Sequence, residues 1–257
     1  MRIEAVTVCV NYADFLTETA RHNRHIFDRW LIVTTPDDRA TIACCKQHNL
    51  QCLTVDGIGS VDPPKFQNKG VGISQGLAQL QTDVWLLHID ADVVLPSDTR
   101  RQLEIACLDE TCIYGIDRFC VHSWDQWKQL EASGYLHNQH GHQLVTMPPQ
   151  FGSLNCRLVR NPWGYTPIGF FQLWHGSSGM LDGWRYKDYP LTNSTAAHSD
   201  IKHSLQWPRQ KRVLIPEIFA VHLESEPVQY GANWKGRKTK PFGPVPAAAA
   251  VKPAKPS

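Results

Sequence analysis

The sequence predicts an α/β protein with a mainly parallel central sheet, and three observations support that prediction. Short apolar runs rich in β-branched residues alternate with helix-like segments through the first 55 residues. This β-α-β-α-β order is typical of parallel strands joined by crossover helices. Further apolar runs follow along the chain, and a hydrophobic fraction of 42% in 257 residues is sufficient for a large core.

The first elements follow from these runs in chain order. Strands are predicted at residues 5–10 (AVTVCV), 30–34 (WLIVT) and 51–55 (QCLTV). Apolar residues on one face predict a helix at residues 14–25. A second helix runs through Cys45, and either Asp38 or Thr41 can begin it.

A third helix is predicted at residues 65–81, although it contains glycines at positions 70, 72 and 76. Each glycine weakens a helix by about 1 kcal/mol relative to alanine. We therefore interpret these glycines as places where a ligand or the sheet comes close to the helix.

The stretch at residues 85–96 (WLLHIDADVVLP) is the centre of the prediction. Its apolar residues and the closing proline indicate a buried strand. Such a strand rarely contains charge, because burying a lone carboxylate is costly. Asp90 and Asp92 would project to the same side of a strand, where their oxygens could converge on a hard divalent cation.

The second half of the chain is predicted in less detail. A short helix from Ser97 to Ala106 precedes a strand at residues 111–121, and an irregular, partly helical segment follows at 123–149. We then expect a strand at 169–175, a helix at 199–205, and two short strands at 212–215 and 219–222. From residue 241 onward, proline, alanine and lysine predominate, which predicts a disordered tail over residues 241–257.

Composition excludes several classes of protein. The net charge of +2 indicates no particular partner, and no apolar run is long enough to span a membrane. The first residues (MRIEAVTVCV) predict a strand and not a signal peptide. The eight cysteines form no C-x-x-C pair, so we expect reduced, mostly buried thiols and a cytoplasmic protein.

Six segments in order resemble the GT-A glycosyltransferases, nearest to their family-2-like members. The segments are VTVCVNYADFL, RWLIVTTPDD, FQNKGVGISQGLAQL, DVWLLHIDADVVLP, HSDIKHSLQWP and FAVHLES. Together they extend over most of residues 3–225, and the N-K-G-x-G pattern before a strand ending in D-x-D is the most specific part. The resemblance implies a GT-A-like, Rossmann-like sandwich. It also implies one catalytic domain over residues 1–240, with a nucleotide-binding half at 1–96 and an acceptor-binding half at 97–240.

The resemblance implies roles for individual residues. The donor would be a nucleotide sugar, with UDP favoured by its frequency in the family. The residues matched to the nucleotide are Val10, Asn11, Tyr12, Asp37 or Asp38, Lys69, Asp90 and Ala91. Asp92 and His222 match ligands of a divalent cation, Mn²⁺ or Mg²⁺, and Asp90 matches a residue at the ribose or at a metal-bound water. Asp200 matches the general base of inverting members, which would activate a hydroxyl acceptor.

Each of these roles has a structural alternative. Lys69 can be a solvated helix residue, His222 a hydrogen-bonded core histidine, and Asp200 a helix cap. The sequence also departs from the family, because Ser199 stands where a glutamate usually precedes the base and the acceptor-side tryptophan-glycine motif is not clear.

Two other functions compete with glycosyl transfer. The stretch containing Asp90 also fits a haloacid-dehalogenase-like phosphatase with Asp90 as nucleophile, although those proteins usually have the motif near the chain start. A non-catalytic GT-A scaffold that binds sugar or nucleic acid is the other alternative, and modified DNA remains a possible acceptor. That alternative draws on the basic residues near the end of the chain, Lys235, Arg237, Lys238, Lys240, Lys252 and Lys255.

Overall fold

The computed structural model describes residues 1–59, 61, 68–137, 164–178, 196–227 and 237–244. Eight strands lie in one sheet: β1 (Ile3–Val8), β2 (Arg29–Thr34), β3 (Gln51–Thr54), β4 (Trp85–Ile89), β5 (Val93–Val94), β6 (Ile113–Val121), β7 (Phe171–His175) and β8 (Arg212–Leu223). The helices are α1 (Ala13–Asn23), α2 (Arg39–Gln47), α3 (Lys69–Leu77), α4 (Thr99–Ile105), α5 (Trp124–Ala132) and α6 (Ala196–Ser204). None of the helices in these ranges is long and apolar enough to cross a membrane.

The strands follow the order β3-β2-β1-β4-β7-β6-β8-β5 across the sheet. The pairs β1–β2, β1–β4, β2–β3 and β6–β8 are parallel, whereas β7 runs antiparallel between β4 and β6 and β5 runs antiparallel to β8. The predicted fold class, α/β with a mainly parallel central sheet, is confirmed. The carboxyl ends of β1, β4, β6 and β8 consequently lie at one edge of the sheet together with the start of β7.

The two faces of the sheet bury separate apolar clusters. On β1, Ile3 and Ala5 face the cluster that includes Leu16 of α1, whereas Val6 faces the cluster that includes Ile73 of α3. This alternation is the period of two expected of a strand that is covered on both faces. The helices therefore cover both faces of the sheet. A site can form at the edge where the carboxyl ends of the parallel strands lie.

Helix α3 is shorter than predicted but uses its glycines as expected. It extends from Lys69 to Leu77, and the side chain of Asn68 caps its start by accepting a hydrogen bond from the Val71 N–H at 3.4 Å. Residues 65–67 of the predicted helix lie outside the described residues. A methyl group on Gly72 would lie 2.8 Å from a methyl of Val8, and one on Gly76 would lie 2.4 Å from a methyl of Val6. The close approach predicted for these two glycines is therefore to the sheet.

The prediction of one continuous strand at residues 85–96 is wrong. Strand β4 ends at Ile89, which pairs with Phe171 of β7, and β5 begins at Val93, which pairs with His222 of β8. Residues 90–92 form the link between two strands that lie apart in the sheet. Asp90 and Asp92 consequently do not share one face of a strand.

Two further expectations differ from the structure in detail, and a third agrees with it where the residues are described. The two strands predicted at 212–215 and 219–222 are one strand, β8, with an irregularity in its pairing opposite Ile116 and Asp117. Ser123 caps helix α5, which agrees with the partly helical character predicted for residues 123–149, and residues 138–149 of that segment lie outside the described residues. Phe242 lies inside the predicted disordered tail, yet its ring is only 4% exposed, and residues 245–257 lie outside the described residues.

The cysteines among the described residues are free thiols, in agreement with the expectation of reduced cysteines. Cys9, Cys44, Cys45 and Cys112 are buried, whereas Cys52 and Cys107 are exposed. Cys156 lies outside the described residues.

Candidate active site

The site is organised around the link at residues 90–92, and side chains of α1 form hydrogen bonds with the backbone in and beside this link. The hydroxyl of Thr19 donates to the carbonyl of Ala91 at 2.9 Å. The amide of Asn23 donates to the carbonyl of Val93 at 2.7 Å and accepts from the N–H of Leu95 at 2.9 Å. Thr19 and Asn23 are spaced four residues apart and lie on the same face of the helix. These polar contacts satisfy the backbone where the sheet ladder is interrupted.

Asp92 and His222 form the first pair in the site. His222 Nε2 lies 3.5 Å from Asp92 Oδ1, at the outer limit of a hydrogen bond. Asp92 Oδ1 is buried and accepts no hydrogen bond of normal geometry from the residues that the structure describes. A buried carboxylate oxygen of this kind requires a cation, and a hard divalent ion is one that Asp92 and His222 could hold together.

The pKa shifts of this pair agree with a partly buried ion pair. Burial lowers the pKa of His222, but the charge of Asp92 outweighs burial and raises that pKa well above its ordinary value. Burial raises the pKa of Asp92, but His222, followed by Arg118, outweighs burial and lowers that pKa. In the absence of another cation, His222 therefore balances the charge of Asp92 as an imidazolium.

Glu224 orients His222 from the side opposite Asp92. Glu224 Oε1 lies 3.2 Å from His222 Nδ1, and its other oxygen lies 2.7 Å from Nδ1 of His122. Burial raises the pKa of Glu224, but hydrogen bonds to His222 and His122 outweigh burial and lower it to about 2. An ionised Glu224 accepts the Nδ1–H of His222 and leaves Nε2 directed at Asp92, as in carboxylate–histidine–metal arrangements. The sequence prediction missed Glu224, although it lies two residues after His222 in the segment FAVHLES.

Lys69 joins Asp90 and Asp200 in a second group. Its Nζ lies 2.5 Å from Asp90 Oδ1 and 3.6 Å from Asp200 Oδ2. Burial lowers the pKa of Lys69, but Asp200 and Asp90 outweigh burial and raise that pKa above its ordinary value. Lys69 is thus a partly buried positive charge between two carboxylates, and it is not the solvated helix residue of the alternative interpretation.

Asp200 is held on α6 close to the start of β7. Gln172 of β7 donates from Nε2 to the backbone carbonyl of Asp200 at 2.9 Å, and its Oε1 lies 3.2 Å from Nδ1 of His88 on β4. A methyl group on Gly169 would lie 2.1 Å from a carboxylate oxygen of Asp200, so glycine is required there. Asp200 lies within a helix that begins at Ala196 and does not occupy its first position, which weakens the alternative of a simple helix cap.

The predicted nucleotide residues at the end of β1 lie beside α2. The backbone N–H of Asn11 donates to Asp38 Oδ2 at 2.7 Å, and Asn11 has a left-handed backbone with φ of 60°. Asp38 also accepts from the N–H and hydroxyl of Thr41, and therefore caps α2. Its carboxylate is committed to these contacts, whereas the exposed Asp37 accepts from the N–H of Val61 at 2.9 Å. Of the two aspartates that the resemblance matches to the nucleotide, Asp37 is the one whose side chain is accessible to a ligand.

The remaining predicted nucleotide residues differ in what they offer. Val10 is buried in the cluster on the α3 face of the sheet, so only its backbone can face a ligand. Tyr12 is partly buried and its ring stacks on Phe15 at 5.3 Å. Ala91 is buried and contributes its carbonyl to the support of the link.

Arg118 of β6 is a second residue that the sequence prediction missed. It is buried, and its guanidinium carbon lies 4.3 Å from the centre of the Phe170 ring. Its charge acts on both Asp92 and His222. The signal in the sequence was a charged pair, Asp117 and Arg118, inside an otherwise apolar strand (IYGIDRFCV).

Two clusters among the described residues have three possible metal-binding side chains within 4.8 Å of one another. Cys120, His222 and Glu224 form one, beside Asp92; Glu18, His22 and Glu131 form the other, between α1 and α5. Arg21 pairs with Glu18 at 3.1 Å and Lys128 pairs with Glu131, so the second cluster is an ion-pair network. Asp90 belongs to neither cluster, and its carboxylate contacts Lys69 instead.

Comparison with known proteins gives matches among solved structures. No family model and no curated protein matches the sequence. The matching solved structures include two sugar-phosphoglycerate synthases. Mannosyl-3-phosphoglycerate synthase from Rubrobacter xylanophilus is 18% identical, with 46% of this chain and 41% of that chain covered and a TM-score of 0.35.

Glucosyl-3-phosphoglycerate synthase from Mycobacterium tuberculosis, in complex with Mn²⁺, UDP-glucose and phosphoglyceric acid, is 11% identical, with 88% and 73% covered and a TM-score of 0.48. The same enzyme with Mn²⁺, UDP and glucosyl-3-phosphoglycerate is 12% identical, with 86% and 71% covered and a TM-score of 0.46. At these identities and TM-scores, the geometry of the chain itself must support any function.

Proposed function

We propose that this chain is a metal-dependent glycosyltransferase that moves a sugar from a nucleotide-sugar donor to a hydroxyl acceptor. The observation that supports this most is the group formed at the carboxyl edge of the sheet. There the pair Asp92–His222 lies on the same short link as Asp90, which Lys69 joins to Asp200. Parallel sheets bind ligands at this edge. Two cation-binding residues, a fixed positive charge and a separate carboxylate match the demands of sugar transfer from a diphosphate.

The residues divide the chemistry between them in this proposal. Asp92 and His222 would hold the divalent cation, which supplies charge neutralisation to the departing nucleotide diphosphate. Lys69 adds a positive charge beside Asp90, and Asp90 receives the ribose. Asp200 accepts the proton of the acceptor hydroxyl. Direct attack by that hydroxyl inverts the configuration at the anomeric carbon.

The finer parts of the proposal rest on other observations. UDP is preferred as the donor nucleotide because of its frequency in the family that the sequence resembles. Free thiols at the described cysteines support a reducing, cytoplasmic setting. The nucleic-acid alternative loses support from two basic residues, because Arg237 pairs with Asp14 and Lys240 pairs with Glu226.

A thermal-shift panel of nucleotide sugars with and without Mn²⁺ tests donor binding. A donor at 100 times its dissociation constant stabilises the folded state by about 2.7 kcal/mol. The stabilisation should require Mn²⁺ and disappear in Asp92→Asn, while the exposed Asp83→Asn serves as the matched control. Absence of stabilisation by every nucleotide sugar would remove the proposal.

The role of Asp200 needs a separate test. Asp200→Asn should lower kcat by about 100-fold or more while nucleotide binding is kept. Full turnover in this variant would refute the base assignment, and loss of nucleotide binding would move Asp200 to the donor pocket. A phosphoenzyme trapped on Asp90 with beryllofluoride would instead support the phosphatase alternative.

A further inference from the structure

The C-terminal segment at residues 237–244 packs against the start of α1, far from it in sequence. Arg237 donates from its two terminal nitrogens to the two carboxylate oxygens of Asp14, at 2.6 and 2.7 Å. This is the bidentate geometry that makes arginine–carboxylate pairs strong and directional. The backbone N–H of Phe242 donates to the same carboxylate. Asp14 is therefore a fixed point for both ends of the segment.

Aromatic side chains pack around the contact between Arg237 and Asp14. The guanidinium carbon of Arg237 lies 5.0 Å from the ring centre of Tyr12 and 5.2 Å from that of Phe15. The ring of Phe242 stacks on Phe15 at 4.7 Å and meets Trp124 edge-on at 5.4 Å. The Arg237 side chain is only 10% exposed, so its ion pair with Asp14 is largely removed from water. The pair is consequently less screened by solvent and salt than an ordinary surface salt bridge.

Arg237 also reaches the loop that follows β1. Its Nη1 donates to the backbone carbonyl of Asn11 at 3.1 Å, while the N–H of Asn11 donates to Asp38. Asn11 has a left-handed backbone, which costs about 1 kcal/mol or more for a residue other than glycine and persists only where neighbours fix it. Contacts on both sides of this residue, from α2 and from the C-terminal segment, fix it here.

We propose that Arg237 is a positioning residue of the donor site. It acts through the carbonyl of Asn11 and the ring of Tyr12, and it presets the loop after β1 to receive the nucleotide. The inference rests on the proposed function, because Asn11 and Tyr12 are donor-site residues only if the chain binds a nucleotide sugar. The C-terminal segment would thereby be a part of the donor site. In the sequence analysis, Arg237 was only one of the basic residues near the end of the chain.

The test compares Arg237→Met with Lys240→Met, a matched control in the same segment. The Lys240 side chain is 72% exposed and pairs only with Glu226 among the described acidic residues, while its backbone contacts survive the substitution. Arg237→Met should raise the donor KM by about tenfold and change kcat by less than about twofold. Arg237→Lys should recover only part of the loss, because lysine lacks the planar fork. Amide hydrogen exchange should become faster at residues 11–15 in Arg237→Met and not in Lys240→Met.

The outcomes separate this inference from the proposed function. If wild-type protein binds no nucleotide sugar, both the positioning role of Arg237 and the proposed function are refuted. If wild type binds and Arg237→Met has the donor KM and exchange rates of Lys240→Met, only the positioning role is overturned. Should Arg237→Met fail to fold, Asp14→Asn keeps the side-chain shape and weakens the pair. A raised donor KM in that variant supports the inference, and a wild-type donor KM overturns it.

Discussion

Asn23 offers a quantitative test of how the link at residues 90–92 is held. Its side chain is fully buried, donating to the carbonyl of Val93 and accepting from the N–H of Leu95. Replacing Asn23 with alanine leaves both backbone groups without these partners. Each buried polar group that loses its partner costs about 1–3 kcal/mol, so the loss of two partners in Asn23→Ala should lower the free energy of unfolding by about 2–6 kcal/mol. Such a loss is a large fraction of the roughly 5–15 kcal/mol of a typical domain.

The measurement is urea or guanidinium unfolding of Asn23→Ala beside Thr17→Ala. Thr17 lies on the same helix and donates to the carbonyl of Ala13 within that helix, so its loss should cost less than about 1 kcal/mol. The slope of the transition must stay unchanged for the comparison to hold. Equal destabilisation of the two variants would refute the reasoning that Asn23 supports the interrupted ladder. A larger loss in Asn23→Ala, together with weaker Mn²⁺ binding, would connect this support to the position of Asp92.

Three other predictions concern packing, acid sensitivity and metal binding. Gly76→Ala should destabilise the protein by about 1–3 kcal/mol in denaturant unfolding, because its new methyl would overlap Val6, whereas Gly243→Ala has open space and should be near neutral. His203 is 2% exposed, and burial, followed by the charge of His88, lowers its pKa to about 3. Below the unfolded-state pKa of about 6.5, the unfolded chain binds a proton at His203 that the folded chain does not bind. The free energy of unfolding should therefore keep its full value above that pKa and fall with acidification, by about 2 kcal/mol at pH 5 from His203 alone. In His203→Phe, the difference in the free energy of unfolding between pH 7.5 and pH 5 should become smaller by that amount. An unchanged difference would contradict the assignment to His203. Glu224→Gln should weaken Mn²⁺ binding about 10–100-fold in calorimetric titration; wild-type affinity would show that Glu224 does not orient His222.

The fold could be predicted because its signals are local. Apolar runs of the right length gave β1, β2 and β3, and the side-chain oxygen of Asp38 identified one of the two predicted starts of α2. The glycines at 72 and 76 predicted a close approach, and the structure shows that the sheet makes it. Each of these inferences depends on residues adjacent in sequence or one helical turn apart.

The site could be predicted only in part. The resemblance supplied Asp92, His222, Lys69 and Asp200, and the structure places them in two adjoining groups. The apolar character of residues 85–96 could not show that the chain leaves the sheet after Ile89, because strand partners come from distant segments. Arg237 was missed for the same reason, since its role depends on Asn11, which only the folded chain brings near it. Glu224 lies two residues after His222, so its signal was local and was overlooked.

The separation of β4 from β5 in the sheet determines when the site can form. Strand β4 lies between β1 and β7, whereas β5 lies at one end of the strand order and, among the described residues, pairs only with β8. Asp92 therefore meets His222 only after β8, the last of the described strands, has joined the sheet. Such non-local pairing slows folding, because the entropy of ordering the intervening chain is lost before the contact forms. During synthesis, the half of the chain that contains Asp90 and Asp92 would emerge first, and Asp92 would remain without its contact to His222 until β8 follows.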